Sequence, residues 1–126
     1  MNLSSGIDLI EIERIQKALD RHGERFLQRI YTSAEIQGAR GSAPELAARF
    51  AAKEAASKAL GTGIGPVSWK EIETLNKPSG QPILRLSGRA KAIALAQGFD
   101  TWTVSLTHSR KMAAAVVVSL GNARSR

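Results

Sequence analysis

The chain has 126 residues, enough for one domain and not comfortably for two, with an apolar content of 43% that suits an ordinary globular protein. It contains no cysteine, which excludes disulfides and thiol chemistry and is compatible with a reducing, cytoplasmic setting. Its formal net charge of +7 asks for an acidic partner: nucleic acid, anionic lipid, a phosphorylated ligand or an acidic protein. From the N-terminus, residues 3–9 read as a short strand and residue 10 onward as a helix. Asp8 stands alone between Ile7 and Leu9, near that transition. A carboxylate there needs a partner, a metal, or a role as N-cap of the next helix.

If residues 11–30 are largely helical, Arg14, Lys17, Arg21, Arg25 and Arg29 recur at three- and four-residue spacing and form one basic stripe. Phe26 lies beside it. Such a stripe fits either a solvated helix face or a phosphate backbone. The chain has few aromatics to stack bases, and no helix-turn-helix, zinc-ligand set or RNA-recognition signature. Thr32-Ser-Ala-Glu35 is a capping box for a short helix, and residues 38–43 read as a loop. Ser42-Ala-Pro-Glu45 is a second such signal, with Pro44 tolerated in the first turn, and opens a long helix that ends near Leu60.

In that helix Arg49, Lys53, Glu54 and Lys58 interrupt a run of alanines, and Glu54 and Lys58 share a face at i, i+4. One carboxylate among three cations suits a divalent metal and a polyphosphate. It equally suits an amphipathic helix with ordinary surface ion pairs. Gly61 is placed to end the helix in a left-handed conformation, and residues 61–66, including Gly63, form a glycine-rich turn. Residues 67–75 read as a strand with Trp69, Glu71 and Glu73 on one side. A turn at 76–80 and a strand at 81–86 complete a hairpin. Residues 87–97 form an Ala-rich helix stopped by Gly98. Residues 102–107 and 112–120 make a second hairpin with His108 at its turn, and 121–126 read as a loose basic tail.

The pattern is α+β: a small single domain over 1–126, with antiparallel hairpins packed on a long central helix. The last strand is apolar on both faces over 113–118, so both faces need cover. Oligomerisation would supply the second cover; burial within one monomer is the alternative. There is no signal-like pattern at Met1-Asn-Leu-Ser-Ser and no apolar run long enough to span a bilayer, so no membrane partner is expected.

Two motifs in this order carry a resemblance. They are Gly6-Ile-Asp8 before an acidic helix start, and Arg49-Phe-Ala-Ala-Lys-Glu-Ala-Ala-Ser-Lys-Ala59 followed by Gly61-Thr-Gly-Ile64. With Trp69-Lys-Glu-Ile-Glu73, Gly80-Gln-Pro82 and Ser105-Leu-Thr-His108, the chain resembles the holo-acyl-carrier-protein synthase group of phosphopantetheinyl transferases over residues 6–118. It departs from the usual pattern at Ser5 and Met112, neither assigned to chemistry. The resemblance implies transfer of 4′-phosphopantetheine from coenzyme A to a serine of apo acyl carrier protein, with release of 3′,5′-ADP and a requirement for Mg²⁺. It implies that Asp8 and Glu54 hold the metal, with Glu54 and Lys58 as the catalytic pair. Arg49, Lys58, Gly61, Gly63 and His108 would contact coenzyme A, although His108 is equally readable as a hairpin residue with a structural hydrogen bond. Arg14, Arg21, Arg25, Phe26 and Arg29 would dock the acidic helix of the carrier. Homotrimers with sites between subunits are implied too. The base for the serine proton stays open between Glu54 itself and a water. The competing reading is a non-catalytic basic nucleic-acid-binding module, which leaves Asp8 and Glu54 unexplained.

Overall fold

The structure, a computed structural model, describes residues 1–122. The elements run β1 (Asn2–Glu11), α1 (Ile12–His22), α2 (Glu24–Ile30), α3 (Ser33–Ala39), α4 (Ala43–Leu60), β2 (Ile72–Asn76), β3 (Pro82–Leu86), α5 (Gly88–Ala96), β4 (Thr101–His108) and β5 (Met112–Gly121). Helices and two antiparallel sheets make this an α+β fold, as the sequence pattern implies. One sheet has the order β1-β5-β4; the other is the β2–β3 hairpin.

Helix α4 is the centre of packing. Thirteen of its eighteen residues are buried, most of them alanines. Small side chains let neighbouring backbone come close, and β1 does so at Gly6. A Cβ there would collide with the Ala55 carbonyl oxygen. Ser4 Oγ donates to the Ala59 carbonyl at 2.7 Å beside this contact. Strand alternation then puts Gly6, Asp8 and Ile10 on the side of β1 that faces α4. Ser42 caps the helix start by accepting from Glu45 N–H, and Gly61 ends it at φ 80°.

Several boundaries differ from the expected ones. β1 continues to Glu11 rather than yielding to helix at residue 10, because β5 pairs with it over ten residues, from Asn2↔Gly121 to Glu11↔Met112. The helix expected over 11–30 is two helices, broken at Gly23 with φ 52°. The strand expected over 67–75 begins at Ile72. Ser68 and Glu71 form a capping box that winds Trp69–Glu71 into one 3₁₀ turn, so Trp69 and Glu71 do not line a strand face. The loop over 38–43 is shorter, since α3 reaches Ala39. Gly121 is the buried last residue of β5 rather than tail, and residues 123–126 lie outside the described part.

Arg49 and Lys53, expected on the helix surface with Glu54, are both buried. Lys53 Nζ donates to Glu35 Oε1 at 2.7 Å and to the carbonyls of Trp69 and Ile72 at 2.9 and 2.6 Å. Glu35 Oε1 also accepts from Thr32 N–H, and its Oε2 from Thr74 N–H. This fully hydrogen-bonded pair pins α3 and β2 to α4. Its partners are what make a buried charge tolerable. Burial pushes the Lys53 ammonium below its ordinary pKa, and Glu35 works in the opposite direction.

β5 is buried on one face only. Ala113, Ala115 and Val117 meet α4's side of the sheet, while Val116 is exposed on the other beside Leu3, Ile7 and Leu9 of β1. Within the described chain nothing covers that second face.

The close approach at Gly6 yields a stability prediction. Gly6→Ala should lower unfolding stability by about 1–3 kcal/mol through overpacking against α4. Ser5→Ala, on the outward face, should stay within about 0.5 kcal/mol of the parent. Urea midpoints of the two variants check this.

Candidate active site

Because Asp8 lies two residues beyond Gly6 on the same strand face, it meets α4 near Glu54 and Lys58, fifty residues away in sequence. Lys58 Nζ donates to Asp8 Oδ1 at 3.1 Å and to the Ile7 carbonyl at 3.0 Å. Asp8 is largely buried, at 19% side-chain exposure, and Lys58 is half exposed. Asp8 therefore is not the helix N-cap; its partner is Lys58, and Glu11 holds the capping position of α1 without a side-chain bond. Burial raises the Glu54 carboxyl above its ordinary pKa, the Asp8 carboxylate pushes it further, and the Lys58 ammonium opposes both. Two carboxylates thus repel one another across a space shared with one ammonium.

That donor set fits a magnesium ion. Mg²⁺ commonly takes one or two carboxylates and fills its remaining positions with phosphate oxygens and water. Among the described residues there is no cluster of three or more His, Cys, Asp or Glu side chains of the kind a closed protein cage would need. The extra repulsion felt by Glu54 is what a divalent cation between the two acids would relieve.

Two other residues expected at a nucleotide site, Arg49 on α4 and His108 on β4, lie together near the start of α4. Arg49 is turned inward, and its Nη1 donates to Glu45 Oε1 at 2.7 Å. His108, at the end of β4, points its Nε2 toward Glu45 Oε2 at 3.8 Å. Its backbone pairs with Ala113 in the ladder, but its side chain makes no hydrogen bond among the described residues, and the turn is closed by Ser109 and Met112. His108 lines a cleft of about 450 Å³ with Glu45, Asn76, Pro82 and Thr107. Glu45 precedes Glu54 by nine residues and Lys58 by thirteen, so the two groups are separated by roughly 14–20 Å along the helix axis at about 1.5 Å per residue. Within one chain they are not one pocket.

Gly61 and Gly63 both adopt positive φ, 80° and 66°, in the turn after α4. Their N–H groups are committed to the helix end: Gly61 donates to Lys58 O, and Gly63 to Ser57 O. Any contact they make with a ligand therefore uses their lack of side chain rather than free amides.

Arg14, Arg21, Arg25 and Arg29 are all exposed and make no ion pair among the described residues. The break at Gly23 divides the stripe, with Arg14 and Arg21 on α1 and Arg25 and Arg29 on α2. Arg25, Phe26 and Arg29 share a cleft of about 200 Å³ with His22. Phe26 is half-buried and meets Tyr31 edge-on, with ring centroids 6.0 Å apart. It is partly a core residue and presents only part of its ring.

Sequence reasoning gave Glu45 only a capping role; its i, i+4 spacing to Arg49 was the available signal for more. Nothing local signalled that Asn76 and Pro82 would join His108, since they belong to the β2–β3 hairpin.

The match to known proteins covers nearly the whole chain. Residues 4–117 fit the family model of the 4′-phosphopantetheinyl transferase superfamily. The chain is 49% identical to the holo-[acyl-carrier-protein] synthase of Herpetosiphon aurantiacus, over 94% of this chain and 99% of the relative. It is 50% identical to the enzyme of that name from Dehalococcoides mccartyi, over 93% and 98%. Among solved structures, the Helicobacter pylori holo-[acyl-carrier-protein] synthase in complex with coenzyme A superimposes with a TM-score of 0.84 at 33% identity, covering 92% of this chain and 99% of that one. The Bacillus anthracis synthase gives 0.77 at 40% identity, covering 94% and 96%. By its fold and by these matches, the chain belongs to the 4′-phosphopantetheinyl transferase superfamily.

Proposed function

We propose that the chain is a holo-acyl-carrier-protein synthase, acting as a single transferase domain in the cytoplasm. It moves 4′-phosphopantetheine from coenzyme A to a serine of an apo acyl carrier protein and releases 3′,5′-ADP. The observation that carries this reading is the convergence of Asp8, Glu54 and Lys58 from β1 and α4, in a chain whose family performs this class of transfer. The serine hydroxyl gives its proton to Glu54 or to a water and its oxygen forms a bond to the phosphorus that bears pantetheine, while the bond from that phosphorus to the nucleotide's bridging oxygen breaks. Such a reaction needs positioning and charge neutralisation more than covalent catalysis. Asp8 and Glu54 would hold Mg²⁺, which when bound draws negative charge from the diphosphate. Lys58 Nζ, which donates to Asp8 in this structure, would neutralise the charge that builds on the leaving phosphate. Gly61 and Gly63 allow the ligand to lie close to the end of α4.

Arg49 and His108 would serve the nucleotide phosphates from the Glu45 end of the helix. Their separation from Lys58 in one chain supports a site completed by a second copy. The uncovered face carrying Leu3, Ile7, Leu9 and Val116 supports the same conclusion, because an apolar patch of this kind marks an interface. The proposed assembly is a homotrimer. Arg14, Arg21, Arg25, Arg29 and the exposed part of Phe26 would receive the acidic carrier helix and steer its approach. No helix among the described residues is long and apolar enough to cross a membrane. A nucleic-acid-binding role would account for the arginines and not for the paired acids.

Mass spectrometry of an apo carrier protein incubated with this protein, coenzyme A and Mg²⁺ tests the reaction. Addition of one phosphopantetheine is expected; an unmodified carrier under saturating conditions sinks the proposal. Asp8→Asn and Glu54→Gln should each lower turnover by at least about 100-fold with the fold intact, as expected for lost metal ligands. Near-normal turnover at saturating Mg²⁺ would remove the metal assignment.

Arg21→Glu should raise KM for the carrier roughly tenfold and leave coenzyme A affinity unchanged, since a rim charge acts on encounter and orientation. Added salt should imitate it in the parent. Equal loss of mixed-sequence oligonucleotide binding, with carrier kinetics untouched, would favour the nucleic-acid reading.

Val116→Asp should convert the assembly to a smaller species in light scattering and abolish transfer. A parent that is already monomeric would exclude the shared site.

A further inference from the structure

Glu45 is placed unlike any other acid in the molecule. Glu35 and Glu71 turn back to close the capping boxes of their own helical turns. Glu45 occupies the equivalent position in α4 but does not: Ser42 N–H donates to the Ala39 carbonyl instead, and the Glu45 carboxylate reaches to Arg49 and His108. It is therefore free of any duty in capping the helix.

The Arg49 guanidinium is almost wholly enclosed, at 2% side-chain exposure, whereas Glu45 is 44% exposed. Arg49 Nη1 also donates to the Glu45 carbonyl at 3.1 Å, and its Nε–H is buried with no partner. Among the described residues Glu45 is the one carboxylate within ion-pairing distance of Arg49. A buried guanidinium cannot lose its only counter-ion without a replacement. Yet this counter-ion lines the 450 Å³ cleft, and Arg49 does not. The Glu45 carboxylate, which both lines the cleft and pairs with Arg49, is the link between the cleft and the guanidinium.

We propose that Glu45 is a displaceable counter-ion. In the ligand-free protein it neutralises Arg49 and faces His108; on binding, a phosphate monoester takes its place and the carboxylate turns to solvent. The replacement has to be another oxyanion able to accept from a guanidinium fork, which a phosphate does well and a hydroxyl does not. This rests on the reading of the cleft as the nucleotide end of a coenzyme A site, where the 3′-phosphate is the monoester. Glu45 thus keeps Arg49 folded inward and ready, and it weakens the hold on 3′-phosphorylated ligands, including the nucleotide product. Its role is to position Arg49 and His108 rather than to touch the reacting atoms.

Calorimetric titration of the full chain with adenosine 3′,5′-bisphosphate and adenosine 5′-monophosphate tests this. Glu45→Gln should bind the bisphosphate about tenfold tighter and the monophosphate within about twofold of the parent. Because the variant leaves a buried cation underneutralised, a second measurement guards against a folding artefact. At constant ionic strength, sodium sulfate in place of chloride should raise the Tm of Glu45→Gln more than that of the parent. If the parent binds the bisphosphate and Glu45→Gln binds it no tighter, or sulfate stabilises both equally, the counter-ion role is overturned and the coenzyme A reading stands. If the parent binds neither nucleotide, the coenzyme A reading falls and takes this inference with it.

Discussion

The close packing of β1 on α4 is the constraint on which the rest depends. It exists because Gly6 has no side chain where the Ala55 carbonyl stands, and because most of the residues that α4 buries are alanines. A bulkier pair would hold the strand farther from the helix. Strand alternation then does the remaining work: two residues past Gly6, Asp8 must face the same helix. The acids and the lysine of the candidate site are brought together by backbone proximity rather than by their own attraction. An ion pair whose lysine is half exposed, as Lys58 is against Asp8, contributes little to stability. The site is held by the fold and does not hold it.

Charge is divided by depth along α4. Arg49 and Lys53, four residues apart, point into the molecule and are matched there by Glu45 and Glu35. The two matches differ in kind. Glu35 is as buried as Lys53 and each is satisfied by further hydrogen bonds, so that pair is a fixed joint between α3, α4 and the hairpin. Glu45 stands at the wall of a cleft and leaves one Arg49 nitrogen without a partner. Incomplete satisfaction of a buried cation next to open space is the condition under which an arriving anion gains most. The same helix thus carries a rigid joint in its middle, a counter-ion arrangement at its start and, nearer its end, Glu54, one of the two site acids.

The sheet has a similar division. Its inner face, with Ala113, Ala115 and Val117, is sealed by α4, while the outer face leaves Leu3, Ile7 and Leu9 more than 60% exposed. Among the described residues nothing covers that outer face, which is the reason a second copy is proposed there. The arginines of α1 and α2 lie on other elements than this face and make no ion pair among the described residues.

Much of this was legible in the sequence. Capping signals at Thr32 and Ser42, the glycine at 61 and the two hairpins follow from local rules, which act within a few residues. The motifs around Asp8 and Lys53-Glu54 sufficed for the family. What local rules could not supply was depth. Arg49, Lys53 and Lys58 look alike in sequence, yet two are buried and one is not, because burial depends on α3 and the hairpin arriving from elsewhere in the chain. The extent of β1 was set by ten residues of pairing with β5 at the opposite end of the sequence, and the 3₁₀ turn at Trp69 by a cap that competes with strand formation. The chain by itself determined which elements form, which family they make and which side chains are chemically able. Only the tertiary structure decided which of those side chains meet, because contacts across fifty or more residues are fixed by packing, and packing is a property of the whole core.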